Sequence, residues 1–356
     1  MPAPATAYGL DLPRDLPSPT LGLTNMKILV TGAAGFLGSN FVERALEDGH
    51  AVVGIDNLSM GRLDNLTSQM QDPGFRFVRR DIIEPHAFAG LGDDFDCILH
   101  LAAFKIPRYG KAIDTLKINY QGTEAVLELA RRLGCKVVLA STSDVYGRNP
   151  NLPFREDGSD HVIGSSKSPR WAYAVSKLFD EHLALAYQDA YGFPVTALRF
   201  FGSYGPRQNT TWWGGPQSVF IDCVLNGKPI PIHGDGLQTR SFTYVSDTVE
   251  GIYQAVLRPQ ANGEIINIGN NQEITILELA RRIHRLSGGS GEPELQFTPY
   301  ASFTGKKYED VMRRVPDVQL CETLLGVRAE VGIDAGLART IEWQRSWSAA
   351  TALCSA

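Results

Sequence analysis

Tyr173 and Lys177, in the run Trp171-Ala-Tyr-Ala-Val-Ser-Lys177, stand four residues apart, a spacing that puts both side chains on one face of a helix. A free phenol has a pKa of about 10 and is a poor base at neutral pH, but a nearby ammonium favours its ionised form. Such a pair could take the proton of an alcohol while the carbon that bears it gives up a hydride. The spacing alone is common. Its meaning depends on whether the rest of the chain supplies a hydride acceptor and a place to hold it.

Residues 27–30 form a short apolar run that ends in Thr31-Gly-Ala-Ala-Gly-Phe-Leu-Gly38, after which Phe41, Val42, Ala45 and Leu46 recur at helical spacing. This is strand, turn, helix. Residues 51–55 read as a second strand, ending at Asp56, 24 residues beyond Gly32. The glycines permit a tight turn and close approach of a pyrophosphate, and the helix start offers unpaired amides to that anion. Asp56 can accept from ribose hydroxyls and repels a 2'-phosphate, so NAD is expected over NADP. The spacing is Gly-x-x-Gly-x-x-Gly, not the Gly-x-Gly-x-x-Gly of ordinary dehydrogenases.

Further apolar runs at 75–78, 97–103, 136–141 and 195–201, with a helical pattern at 123–133 between them, alternate strand with helix. The expected fold is α/β: a Rossmann-type doubly wound parallel sheet followed by a smaller, loop-rich C-terminal substrate lobe. Ligands of such sheets sit beyond the carboxyl ends of the strands, where Ala102-Ala103, Ser141-Thr-Ser-Asp144 and Phe201-Gly202 fall. The chain divides into a mobile extension (1–25), an NAD-binding domain (26–200), a mainly substrate-binding lobe with some return to the sheet (201–347) and a tail (348–356).

Composition narrows the class. With 356 residues, 43% hydrophobic and 21% charged, the chain can bury a large core. The net charge is -5 and no basic cluster exceeds Arg131-Arg132 or Lys306-Lys307, so a nucleic-acid partner is not expected. Cys97, Cys135, Cys223, Cys321 and Cys354 are odd in number and widely spaced, which suits reduced thiols and a cytoplasmic location and gives no metal site. The first 25 residues carry five prolines and no long apolar stretch, so neither a signal peptide nor a membrane anchor is expected.

Together, the glycine turn, the Tyr173/Lys177 pair and the downstream loops resemble the extended short-chain dehydrogenase/reductase family, whose members modify nucleotide sugars; the likeness runs from about Met26 to Trp347. It implies Tyr173 as base at the carbon 4 hydroxyl, Lys177 holding the nicotinamide ribose and lowering the phenol's pKa, and Thr142 hydrogen-bonding the reacting oxygen. Within the family, three segments resemble UDP-glucuronate decarboxylases: Ser141-Thr-Ser-Asp-Val-Tyr-Gly147, Arg170-Trp-Ala-Tyr-Ala-Val-Ser-Lys177 and Tyr308-Glu-Asp-Val-Met-Arg-Arg-Val-Pro316. By that likeness Arg314 holds a sugar carboxylate, while Ser143 and Asp144 manage water or protons at carbon 5. Two departures stand out: Asp144 replaces the usual Glu, and Gly202 stands where relatives commonly have Asn.

The cofactor set implied is Gly32, Gly35, Phe36, Leu37, Gly38, Asp56, Asn57, Asp81, Ile82, Leu101, Ala102, Ala103, Lys105, Tyr173 and Lys177. The substrate set is Lys105, Arg108, Gly202, Gln217, Ser218, Val219, Ile232, Arg240, Arg313 and Arg314. His100 is expected to be a hydrogen-bonded core residue, and Trp212 and Trp213 to pack a loop. The family also implies a homodimer through a helix bundle. A decarboxylase of UDP-glucuronate or a close uronate leads, ahead of a nucleotide-sugar 4-epimerase and a 4,6-dehydratase. Outside enzymes, an NAD-sensing binding protein or a dimerisation module would have no need of Thr142, Tyr173 and Lys177.

Overall fold

The computed structural model describes residues 25–105, 111–299 and 310–354, with 349–354 by backbone alone. Residues 1–24 of the expected extension, Arg108, Tyr308, Glu309 and the last two residues of the tail lie outside the described residues.

Six strands build the first half: β1 (Lys27–Thr31), β2 (Ala51–Asp56), β3 (Phe75–Arg79), β4 (Cys97–His100), β5 (Lys136–Thr142) and β6 (Val195–Phe200). Helices α1 (Phe36–Glu47), α2 (Ala112–Leu133) and α3 (Ala172–Tyr191) connect them. The second half adds β7 (Ser203–Tyr204), α4 (Pro216–Leu225), β8 (Ile230–His233), β9 (Thr239–Ser241), β10 (Thr243–Tyr244), α5 (Val245–Leu257), β11 (Ile265–Ile268), β12 (Glu273–Thr275), α6 (Ile276–Leu286), β13 (Leu295–Thr298), α7 (Gln319–Leu325) and α8 (Ile333–Cys354).

The main sheet runs β11-β6-β5-β4-β1-β2-β3, parallel at every pairing. Strands in such a sheet are covered on both faces, so their sequences are apolar without alternation. Ile28 and Val30 enter one cluster with α1 and α5, while Leu29 enters the other with α2 and α3. Burying each such side chain contributes about 1.5–3 kcal/mol, which selects this register. The order reverses between β4 and β2, across β1, and a crevice opens beyond the carboxyl ends there. β11 belongs to this sheet although it comes from the second half of the chain.

The remaining strands form three short pairs, β7 with β10, β9 with β12 and β8 with β13, and the second half packs its helices α4, α6 and α8 through Phe220, Ile221, Leu279, Ile283, Leu337 and Ile341. No described helix is long and apolar enough to cross a membrane.

Candidate active site

The glycine turn between β1 and α1 is built for close approach. Gly32 has φ +73°, and a Cβ there would lie 2.8 Å from the Ala102 amide nitrogen. A Cβ on Gly38 would meet the Gly32 carbonyl oxygen at 2.1 Å, so side chains are barred from both places. No side chain caps the start of α1, which leaves its first amides and positive end for an anion. At the end of β2, Asp56 accepts from the amides of Ala34 (3.0 Å) and Leu58 (2.8 Å); burial raises its pKa against these bonds. Asn57 donates to Asp81 at 2.9 Å.

Beyond the strand ends lies a cleft of about 920 Å³. Of the expected cofactor residues, Gly32, Gly35, Phe36, Leu37, Gly38, Leu101, Ala103, Lys105 and Tyr173 line it. Thr142, Ser143, Asp144, Gly202, Gln217, Arg240 and Arg314 line the same space. Asp56, Asn57, Asp81, Ile82, Ala102 and Lys177 are not on its walls. Neither are Ser218, which donates to Gln208 at 3.2 Å, Val219, which packs on the core, nor Ile232, which is fully buried. Arg313 points elsewhere: it is exposed and paired with Glu273 at 2.6 Å. Trp212 stacks on His233 at 4.6 Å and also lines the cleft, while Trp213 packs edge-on against Phe104.

Thr142 ends β5, its hydroxyl accepts from the Asp144 amide at 3.2 Å, and it lines the cleft together with the Tyr173 phenol. Tyr173 lies in the first turn of α3 and Lys177 follows one turn later. Lys177 donates to Asp180 at 2.9 Å, with both side chains buried. Burial first, then the charges of Asp144 and Asp180, raise the phenol's pKa above its ordinary value. The Lys177 charge is not among the causes that set it.

Asp144 sits between two guanidiniums, with Arg314 at 2.7 Å and Arg170 at 3.1 Å. Burial disfavours its charge, but Arg170 and Arg314 outweigh it and hold the carboxyl well below the usual range. Burial in turn lowers the pKa of Arg314, against the pull of Asp144. The Arg314 loop is pinned by backbone bonds from Thr239 to Met312 and from Phe154 to Val315, and by Arg240, which pairs with Asp310 at 2.9 Å. Arg314 Nε carries no hydrogen bond. The cleft thus brings together the glycine turn with its uncapped helix start, Thr142 with Tyr173, and a cluster of guanidiniums. The model of the NAD dependent epimerase/dehydratase family matches residues 28–269.

The chain belongs to that family. A UDP-N-acetyl-alpha-D-glucosaminuronate decarboxylase of Bacillus cytotoxicus is 35% identical over 324 residues, 90% of this chain and 98% of that protein. UDP-glucuronic acid decarboxylase 1 of Xenopus tropicalis is 36% identical over 321 residues, 90% of this chain and 72% of that protein. Among solved structures, a UDP-glucuronic acid 4-epimerase from Bacillus cereus, in complex with UDP-glucuronic acid and NAD, superposes with a TM-score of 0.80 at 30% identity, covering 90% of this chain and all of that one.

Two departures of this family member have a local cause. Gly202 has φ +52°, and a Cβ would stand 2.3 Å from the Ser241 carbonyl oxygen; an Asn does not fit on this backbone. Asp144, one methylene shorter than Glu, is met by guanidiniums from both sides. Sequence reasoning passed over Arg170 as an ion partner, Asp180 as the lysine's counter-ion, and Asn119. The last accepts from the Phe104 amide at 2.7 Å and donates to Ser176 at 2.9 Å, tying the loop after β4 to α3. His100 is buried between the hydroxyls of Thr31 and Thr123; burial, with the Lys177 charge, pushes its pKa down to about 3.

Proposed function

We propose that the chain is a decarboxylase of a UDP-uronate, with UDP-glucuronate the leading substrate and UDP-xylose or the UDP-4-keto-pentose the product. The observation that carries this reading is Arg314: a half-buried guanidinium on the wall of the cavity that also holds Thr142 and Tyr173. A carboxylate is the sugar substituent a guanidinium recognises with charge and two parallel donors.

The glycine turn and Tyr173 would hold NAD, with Lys177 on the nicotinamide ribose and Asp56 on the adenosine ribose; the cofactor supplies oxidation and reduction at carbon 4. Tyr173 accepts the carbon 4 hydroxyl proton, and Thr142 hydrogen-bonds the same oxygen. The ketone so formed is β to the carbon 6 carboxylate. The bond between carbons 5 and 6 then breaks, carbon dioxide leaves, and the electron pair passes to the carbon 4 oxygen as an enolate steadied by Thr142 and Tyr173. Asp144, held ionised by Arg170 and Arg314, orients rather than donates; Ser143 and water carry the proton to carbon 5. Arg240, Gln217 and Lys105 face the rest of the nucleotide sugar.

A 4-epimerase uses the same Thr142, Tyr173 and Lys177, and the solved UDP-glucuronic acid 4-epimerase supports it as the second reading. The curated relative that acts on a 2-acetamido uronate adds that sugar to the panel. The purified protein is tested with UDP-glucuronate, UDP-N-acetylglucosaminuronate and UDP-glucose, reading products by mass spectrometry and proton NMR. The decarboxylase reading requires loss of carbon dioxide from a uronate and slow reaction of UDP-glucose. A cytoplasmic homodimer completes the proposal: Leu116, Tyr120, Val175 and Phe179 are exposed on α2 and α3, and light scattering measures the mass.

A further inference from the structure

Lys177 and Asp180 form an ion pair in which both side chains are almost wholly withdrawn from solvent, with exposures of 2% and 0%. They occupy the same face of α3 as Tyr173, at intervals of four and three residues, so the three side chains rise along one stripe. The pair is also lopsided: Asp180 Oδ2 accepts from the ammonium at 2.9 Å, while Asp180 Oδ1 is buried with no hydrogen bond. Leaving a buried carboxylate oxygen without a hydrogen bond is unfavourable. A role confined to packing would be met more cheaply by an apolar residue.

We propose that Asp180 is a positioning residue for the Tyr173/Lys177 pair: it fixes the ammonium by one donor and leaves the others for cofactor and phenol. This rests on the assignment of Tyr173 as the proton acceptor. An ammonium has three donors, and Asp180 takes one of them. The price is electrostatic, because the same carboxylate lies close enough to Tyr173 to act against loss of its proton.

The other charged and titratable groups around the stripe are accounted for. Asp144, from the turn after β5, also opposes ionisation of Tyr173 but is itself held by Arg170 and Arg314. His100, on β4, feels the Lys177 charge and stays neutral. Glu181, next on α3, is bound by Arg199 from β6 and by the Ser141 hydroxyl. Asp180 is therefore the member of the set whose replacement changes the balance at Tyr173 without opening another ion pair.

The test is the pH dependence of kcat/KM for Asp180→Asn with the NAD-loaded protein and UDP-glucuronate, beside Tyr173→Phe and wild type. The expected result is a downward shift of the acid limb on the order of one pH unit, with KM for NAD raised severalfold because the ammonium is no longer held. Asp180→Glu, which restores the charge, should return the limb toward wild type. A limb that does not move in Asp180→Asn, or moves up, overturns the proposal. A loss of folded protein in both Asn and Ser variants also overturns it, since the pair would then be a folding device. If Tyr173→Phe keeps its turnover, the underlying assignment fails instead, and the two failures are distinguishable.

Discussion

Two carboxylate–guanidinium groups, one buried and one half-buried on a cleft wall, use the same chemistry to opposite ends. Glu181 and Arg199 join α3 to β6 as a closed fork, Nη2 to Oε2 at 2.8 Å and Nε to Oε1 at 3.0 Å, with each side chain 2% exposed. The guanidinium lies over the Tyr146 ring at 4.7 Å, and Ser141 adds its hydroxyl to the carboxylate. Asp144 instead is shared by two guanidiniums on a cleft wall, and Arg314 meets it through one terminal nitrogen with Nε idle. The closed fork lies off the cleft wall, and although Arg199 Nη1 has no partner, both side chains are too buried for a ligand to reach it. The shared one keeps donors that an incoming carboxylate can use, which is the difference between an ion pair that ties the fold and one that belongs to a site.

The sharpest way to break this contrast is to remove one partner of each group. Glu181→Ala leaves Arg199 buried without its counter-charge and should lower stability by about 3–5 kcal/mol in chemical denaturation. Arg314→Lys keeps a charge but loses the planar fork; turnover of UDP-glucuronate should fall by the equivalent of about 2–5 kcal/mol while the denaturation midpoint stays near wild type. A large loss of stability in the second variant, or none in the first, would erase the distinction.

Smaller effects sharpen it. Tyr173→Phe removes the proton acceptor without disturbing either ion group and should slow turnover by roughly a hundredfold or more with the fold unchanged, as judged by circular dichroism. Asp56→Ala should weaken NAD more than NADP in calorimetric titrations, since only the unphosphorylated ribose gains from the carboxylate. Arg313→Ala is the least of them. Its side chain is exposed and paired with Glu273 away from the cleft, so turnover and denaturation midpoint should both match wild type, in contrast to its neighbour Arg314.

The contrast also explains what could be read from the chain. The inner strands β1, β2, β4 and β5 were legible because they are largely apolar on both faces, and the glycine turn because its spacing is set by backbone clearance at Gly32 and Gly38. Helix α2 was legible only from 123 onward; its first part, Ala112 to Gly122, mixes Asp114, Lys117, Asn119 and Gln121 with apolar residues of which Ile113, Leu116 and Tyr120 face solvent instead of the core. The run at 97–103 was read as one strand, but pairing stops at His100, where the chain turns into the crevice. Ion partners were the least legible. Glu273, which claims Arg313, lies 40 residues before it, and Arg170 reaches Asp144 across 26 residues; nothing in local pattern specifies such pairings. Asp180 lies only three residues from Lys177 and was within reach, but its meaning depends on burial, which spacing does not report.

The most direct measurement follows the carboxylate itself. UDP-glucuronate labelled with carbon-13 at carbon 6 is incubated with the NAD-loaded protein, and carbon-13 and proton NMR follow the label and carbon 4. The account predicts that the label leaves as carbon dioxide and bicarbonate in step with the appearance of a UDP-pentose or UDP-4-keto-pentose, and that Arg314→Lys slows both together. Retention of the label in a sugar inverted at carbon 4 would contradict it and give the cleft to a 4-epimerase.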